Sequence, residues 1–526
     1  MFEFDPYSPK TLEYTETKNG TLRGFRMKGI YTFLNVQYGE CRRWEAPEPV
    51  KPWKGIKNAV RFGPRMFPGA VTGSAPVLTP WDSCGIAHEV YDYAEDALNL
   101  NIWSPTLEKT AKKPVMVWIH GGGYATGSAM EMQAHYGSNL SEFGDVVVVT
   151  INHRLNVFGF MDMSRFGEKY ANSVNAGIAD LVCALQWIHD NIENFGGDPD
   201  NVLIFGQSGG GGKVCTLMQT PAAAGLFHKA VIMSGVAVGQ IGGPKNISDD
   251  LLDRLLEKYH TDSIDTLLAL TPEELLDSVN ELGKDLTAGG LMGWHPVANG
   301  WYLGDAREVG TLESSKNIPV MIGSTISEFP NMRIFNKHSY TEEQQMDILK
   351  ECFPGQDVEK LAELFHKAWP EKCLTDAIEI KGWIDFREGT IQYLDVRAKE
   401  AVAPTYSYIF GYDFPQDGGR GAWHCADIPV VFHNACAYPE NFREGLVGDL
   451  ENAISGSWVN FAHTGDPNNQ WLGTQWPAYK EGECAVMIFD KPCTVRYDFD
   501  RELVAFRNAM DLKITDKYTK FNQVIN

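Results

Sequence analysis

The sequence predicts an α/β protein with a large, mostly parallel central sheet flanked by helices, and three observations predict it. Short β-branched runs recur along the chain. Stretches of helical periodicity lie between several of them. A glycine-serine turn joins one run directly to a helix. The runs are residues 115–119, 146–151, 202–205, 230–233, 319–322, 406–410 and 486–489. Each suits a buried strand in length and in β-branched content. A helix is expected where Ile178, Leu181, Leu185, Ile188 and Ile192 share one face, closed by Gly196-Gly197.

Two polar helical blocks interrupt the alternation. Residues 248–284 contain the helix start Thr271-Pro272-Glu273-Glu274, and residues 341–369 open on Thr341-Glu342-Glu343-Gln344. They are expected as helical insertions in a single domain spanning 1–526, either covering one edge of a site or lying on the surface. No internal repeat or low-complexity linker divides the chain.

The 526 residues are 44% apolar, enough for a large core. Lys plus Arg is 46 and Asp plus Glu is 68, giving a net charge of −22, which argues against nucleic acid or an anionic membrane surface as partner. No run approaches the ~18 apolar residues of a membrane span. The start, Met1-Phe2-Glu3-Phe4-Asp5-Pro6, has no basic and apolar leader pattern. Ten cysteines are scattered without CxxC or metal-like spacing, so free thiols in a reducing compartment are expected. A cytoplasmic protein needing no metal or cofactor follows, with the choice between monomer and homodimer open.

Gly206-Gln207-Ser208-Gly209-Gly210 follows the apolar run 202–205 and precedes Val214, Leu217 and Met218 at helical spacing. Strand, G-x-S-x-G and helix form the context of a nucleophile elbow, a turn so tight that small residues must flank the serine. Gly209 to Gly212 would open the helix with four glycines, each costing about 1 kcal/mol against alanine. Such a run implies close backbone approach or bare N–H groups. It is not a phosphate loop: Val214 stands where a hydroxyl is needed, and Gln207 where the first glycine belongs.

Acyl chemistry at a serine needs an oxyanion hole, a base and an orienting acid. The run 115–119 leads into His120-Gly121-Gly122-Gly123-Tyr124, so Gly122 and Gly123 are candidate donors with the N–H of Gly209. His120 is expected to stiffen this loop. For the base, His424 follows a late strand and the loop Gly418-Gly419-Arg420-Gly421, with His433 and His463 as rivals. For the acid, Glu328 lies just past the run 319–322, with Asp305, Asp385 and Asp413 as rivals.

Together these motifs resemble the type-B carboxylesterases, the carboxylesterase and cholinesterase branch of the α/β-hydrolase fold, across nearly the whole chain. Residues 95–103 are similar to the family's S-E-D-C-L-x-L-N motif, and 120–127 to its oxyanion loop. Residues 175–180, 186–188, 195–199 and 206–210 are similar to its central signature, and 458–468 to a further segment. Residues 323–328 resemble G-T-N-R-D-E, which implies Glu328 as the acid. Residues 423–432 resemble x-H-x-x-E-[IL]-x-[FY]-[VL]-F, which implies His424 as the base; His463 falls on a segment without a catalytic role in the family.

The resemblance implies a serine hydrolase of small-molecule carboxylic esters. Amide, thioester or carbamate cleavage would use the same residues. A non-catalytic binding protein of this fold would lack part of the triad. Ala97 and Met66 stand at the two positions of a common family disulfide, which implies a bacterial-type cytosolic member. Gly209 replaces the usual alanine, so a looser elbow is expected. Ser327 and Phe329 flank Glu328 where an acidic residue and glycine are usual. Tyr124, Trp294, His295, Phe329 and Trp423 are candidates for an aromatic substrate pocket or for core packing.

Overall fold

The seven apolar runs become seven neighbouring parallel strands. In spatial order they are Val147–Ile151, Lys113–Ile119, Gly197–Gln207, Lys229–Met233, Val320–Thr325, Thr405–Phe410 and Ala485–Phe489. The computed structural model describes residues 11–68, 92–236, 246–286, 293–330, 333–438 and 448–513. The amino-terminal hexapeptide and Cys84 lie outside these residues.

Parallel strands sheltered on both faces read as continuous apolar runs. Alternate residues then serve opposite layers. Met116, Trp118, Leu203 and Phe205 enter one core, and Val115, Val117, Val202 and Ile204 enter the other. Full burial of each such side chain stabilises the fold by about 1.5–3 kcal/mol.

Strands that the apolar runs did not announce, paired antiparallel except for Ile56–Asn58, extend the sheet to thirteen strands among the described residues. Asn99–Ser104, Ile30–Gln37, Gly20–Met27 and Thr11–Thr17 continue one side, with Ile56–Asn58 beside Gly20–Met27, and Thr494–Tyr497 closes the other. Helices cover both faces, as the resemblance to the α/β-hydrolase fold implies.

The helix expected from residues 178–192 spans Ala176–Asn191 and runs through a 3-10 turn to Gly196, which caps it at φ 76°. The block 248–284 is three helices: Ser248–Lys258, Ile264–Leu268 and Pro272–Leu282. Thr271 and Glu274 form a reciprocal capping box at the start of the third. The block 341–369 is two helices, Glu342–Cys352 and Val358–Ala368, the first capped reciprocally by Thr341 and Gln344. Both blocks bury apolar faces, through Leu251, Leu252 and Leu255 in one core and Leu361, Leu364 and Phe365 in the other.

Met66 and Ala97 are both buried, on adjoining segments where Ala94 N–H donates to the Arg65 carbonyl at 3.0 Å. The nine described cysteines are free thiols. No described helix is long and apolar enough to cross a membrane.

The carboxyl ends of five adjacent parallel strands meet at one level of the sheet. They feed the loops that begin at His120, Ser208, Ser234, Ile326 and Gly411. Crevices at this end of an open α/β sheet are where such folds bind ligands.

Candidate active site

Ser208 sits at φ 57°, ψ −128° between the strand Gly197–Gln207 and the helix Gly209–Met218. A side-chain-bearing residue held there costs roughly 1–3 kcal/mol. The turn is held because Ser208 N–H donates to the Met233 carbonyl at 2.8 Å and its own carbonyl accepts from Gly212 N–H at 3.0 Å. Its glycines are required by contact. A Cβ at Gly206 would lie 2.6 Å from the Ile119 carbonyl oxygen, and one at Gly210 2.1 Å from the same atom. One at Gly211 would meet Gly235 Cα at 2.8 Å, and one at Gly212 the Tyr124 hydroxyl at 2.9 Å. The four-glycine helix start is therefore a packing surface for two neighbouring backbones.

Gly122 and Gly123 both adopt positive φ, 81° and 61°. A Cβ at Gly209 would fall 2.2 Å from the Gly123 carbonyl oxygen. The glycine does not loosen the elbow, as the sequence led us to expect. It lets the glycine loop close onto the start of the helix. Among the described residues, the N–H groups of Gly122, Gly123 and Gly209 donate to no protein acceptor. Bare amides gathered beside a strained serine suit a developing negative oxygen.

Glu328 is buried at φ 46° past the strand Val320–Thr325. One carboxylate oxygen, Oε1, accepts from the Ser234 hydroxyl at 2.6 Å and from Thr325 N–H at 2.8 Å. The other, Oε2, is hydrogen-bonded to His424 Nδ1. The two loops are also clipped through their backbones, His424 N–H donating to the Glu328 carbonyl at 2.9 Å. A carboxylate on Nδ1 fixes the tautomer and leaves Nε2 as the proton acceptor. Ser327 and Phe329 thus leave the acid firmly oriented.

Three contacts around His424 escaped the sequence reading. The Gln207 amide nitrogen lies 3.4 Å from Nδ1 and 3.2 Å from Nε2. A group nearly equidistant from both ring nitrogens sits over the ring face. Its amide oxygen accepts from the Cys425 thiol at 3.0 Å, which sets the amide's orientation. Phe329 packs against the imidazole with centroids 4.0 Å apart, and Phe386 lies 5.4 Å away. Ser234 had one available signal, a hydroxyl immediately after a parallel strand. Phe386 had none, because its helix, Lys381–Glu400, reaches the site through tertiary packing.

The other candidates are held by other partners. Tyr124 is buried, edge-on to Phe160, and Trp294 joins the same core. Trp423 is buried under Arg420 and against Phe414. His295 turns Nδ1 to the Pro296 carbonyl at 3.1 Å. His433 stacks on Phe143, and His463 meets the Gly144 carbonyl at 3.0 Å. Asp305 pairs with Arg307, and Asp413 with Lys337 and Lys372. Asp385 lies on the helix Lys381–Glu400.

His120 stacks on His153 at 4.7 Å, and its carbonyl accepts from Lys213 Nζ at 3.1 Å, so it braces the glycine loop. Burial, and then the Lys213 charge, hold both imidazoles well below their usual range. Burial alone drives Lys213 down, to about 7. Beyond Glu328, burial followed by that carboxylate's charge pushes Asp427 up to about 7. Among the described residues, no group of three or more His, Cys, Asp or Glu is arranged to hold a metal ion.

Comparison with known proteins follows this geometry. The model of the carboxylesterase family matches residues 12–507. The chain is 29% identical over 504 residues to the para-nitrobenzyl esterase of Bacillus subtilis (strain 168), covering 94% of this chain and 98% of that protein. It is 30% identical over 521 residues to rat (Rattus norvegicus) carboxylesterase 1C, covering 92% and 90% respectively. A solved esterase of the anaerobe Clostridium hathewayi, described as able to hydrolyse aliphatic aromatic polyesters, superposes with a TM-score of 0.88 at 40% identity. It covers 95% of this chain and 99% of that one.

Two outcomes follow. Gly209→Ala drives a methyl into the Gly123 carbonyl, so it should displace the glycine loop and lower kcat on an activated ester by about 10²- to 10³-fold, the scale of losing one donor if these amides receive the oxyanion. A kcat within twofold of the parent contradicts that contact. Asp427→Asn tests the buried carboxyl. Its folded pKa of about 7 exceeds the unfolded value of about 3.9, so the folded chain holds a proton that the unfolded chain has lost between those limits. That contribution is full below the unfolded pKa and is lost as pH rises through the folded one. The asparagine variant should gain Tm over the parent at pH 8 and much less near pH 4; an equal shift at both contradicts it.

Proposed function

Because this chain belongs to the carboxylesterase family and is a carboxylic ester hydrolase, we propose that it cleaves small-molecule esters through an acyl-enzyme intermediate on Ser208. The observation that carries this reading is the pinned Glu328–His424 pair at the carboxyl ends of the strands, beside the turn that bears Ser208. Ser208 Oγ attacks the ester carbonyl carbon while its proton passes to His424 Nε2. Glu328 stabilises the resulting imidazolium through Nδ1–H. The carbonyl oxygen, now negative, is received by the N–H groups of Gly122, Gly123 and Gly209. Collapse breaks the bond to the alcohol oxygen, and the imidazolium returns the proton to it. Water, deprotonated by His424, then attacks the acyl-enzyme, and the acid departs as Ser208 regains its hydrogen.

We read residues 1–526 as one catalytic domain carrying the helical insertions 248–284 and 341–369. The buried free thiols Cys215, Cys352, Cys425 and Cys484 support a reducing, cytoplasmic setting.

The test is a substitution series assayed on an activated ester, with circular dichroism to verify folding. Ser208→Ala and His424→Ala should each lose roughly 10⁴-fold or more in kcat. Glu328→Gln should lose roughly 10²- to 10⁴-fold with little change in KM, because the amide holds the imidazole in the wrong tautomer. A folded Ser208→Ala protein that keeps a tenth of the activity contradicts the mechanism.

A further inference from the structure

We infer that Phe329 is the wall against which the alcohol half of the ester lies, and that it gives this enzyme a preference for flat, aromatic alcohols over saturated ones of equal size. The inference deepens the proposed mechanism and rests on its assignment of His424.

The geometry of the reaction supplies the first step. The carbonyl oxygen points to the amides of Gly122, Gly123 and Gly209, and the carbonyl carbon is bonded to Ser208 Oγ. The departing oxygen takes the carbon–oxygen bond pair and accepts a proton from His424, so it must lie within hydrogen-bond reach of that ring's Nε2. A side chain on the imidazole that opens to solvent therefore borders the alcohol half, not the acyl half.

Phe329 is such a side chain. Its ring centroid is 4.0 Å from that of His424 at an interplanar angle of 33°. It remains 41% exposed although it packs on a buried histidine. Its position is fixed. It directly follows Glu328, which is held at both carboxylate oxygens and through its carbonyl. Behind it stands Phe386, buried, with centroids 6.3 Å apart and planes at 37°. Phe329 thus has one side against the imidazole, support from a second phenylalanine, and uncovered surface left over. An aromatic alcohol can stack against that surface or meet it edge to face. A saturated ring of the same size gains the apolar contact but not the aromatic one.

The experiment uses the full-length enzyme and two pairs of esters. Benzyl and cyclohexylmethyl butanoate differ only in the flatness of the alcohol, and ethyl benzoate and ethyl cyclohexanecarboxylate differ only in that of the acid. The readout is kcat/KM, which reports acylation and alcohol departure. Phe329→Ala and Phe329→Leu should lower the benzyl to cyclohexylmethyl ratio by about 3- to 10-fold, the scale of one aromatic pair. The benzoate pair's ratio should stay within twofold, and so should the pH profile of kcat/KM.

A fall in the benzoate ratio with the benzyl ratio unchanged overturns the inference by placing Phe329 on the acyl side. Equal losses on all four esters with a displaced pH profile also overturn it, since Phe329 would then act by orienting His424. Unchanged ratios throughout overturn it outright. Full turnover by Ser208→Ala would instead defeat the underlying mechanism and the inference with it.

Discussion

The carbonyl oxygen of Ile119 occupies the space that a Cβ at either Gly206 or Gly210 would need. The arrangement of the site depends on that contact. The strands Lys113–Ile119 and Gly197–Gln207 are paired in parallel with Ile119 opposite Gly206, so both chains leave the sheet at one level. Bare glycine at 206, 209 and 210 lets the two exits touch. The Gly122–Gly123 loop then lies against the helix that begins behind Ser208. A third backbone joins at the next strand, where Gly235 meets Gly211. The glycines sacrifice helix propensity at the start of Gly209–Met218. What they supply is a cluster of amides placed by main-chain packing, which in the proposed mechanism needs no reorganisation as charge develops.

The electrostatic surroundings follow from the same close packing. Lys213, His120, His153 and Asp427 are all buried near the site, and burial shifts each toward its uncharged form. Fixed dipoles therefore surround a single strong pairing, Glu328 with His424. In a medium of low polarity that pairing orients the imidazole more firmly than it would in water. Ser234 and Thr325 hold the carboxylate from behind, so the acid's rotamer is set by neighbouring strand ends and does not rely on the histidine.

Much of this was legible in the sequence, for identifiable reasons. The seven parallel strands are buried on both faces, so each reads as an unbroken apolar run. The serine turn and the glycine loop are local motifs whose spacing carries their geometry. The antiparallel strands were not legible in the same way. Thr11–Thr17 lies at an edge and is mostly polar and exposed, and Ile30–Gln37 is broken by Asn35 at φ 59°. The helix Lys381–Glu400 was blurred by inward-facing charges. Arg387 pairs with Asp500 at 2.5 Å, and Arg397 donates to the Ser315 and Ile318 carbonyls. Ser234, Gln207 and Phe386 matter through contacts between distant segments, which no local pattern encodes.

In the proposed mechanism the strained turn presents Ser208 as the nucleophile. The most direct measurement of that role is mass-spectrometric peptide mapping after inactivation by diethyl 4-nitrophenyl phosphate, an electrophile that phosphorylates activated serines. One diethylphosphoryl group per chain is predicted, on the peptide containing Ser208, accumulating in step with the loss of esterase activity. Labelling of the His424→Ala protein is predicted to be far slower. Complete inactivation with Ser208 unmodified, or a stoichiometric adduct on another residue, would contradict the mechanism.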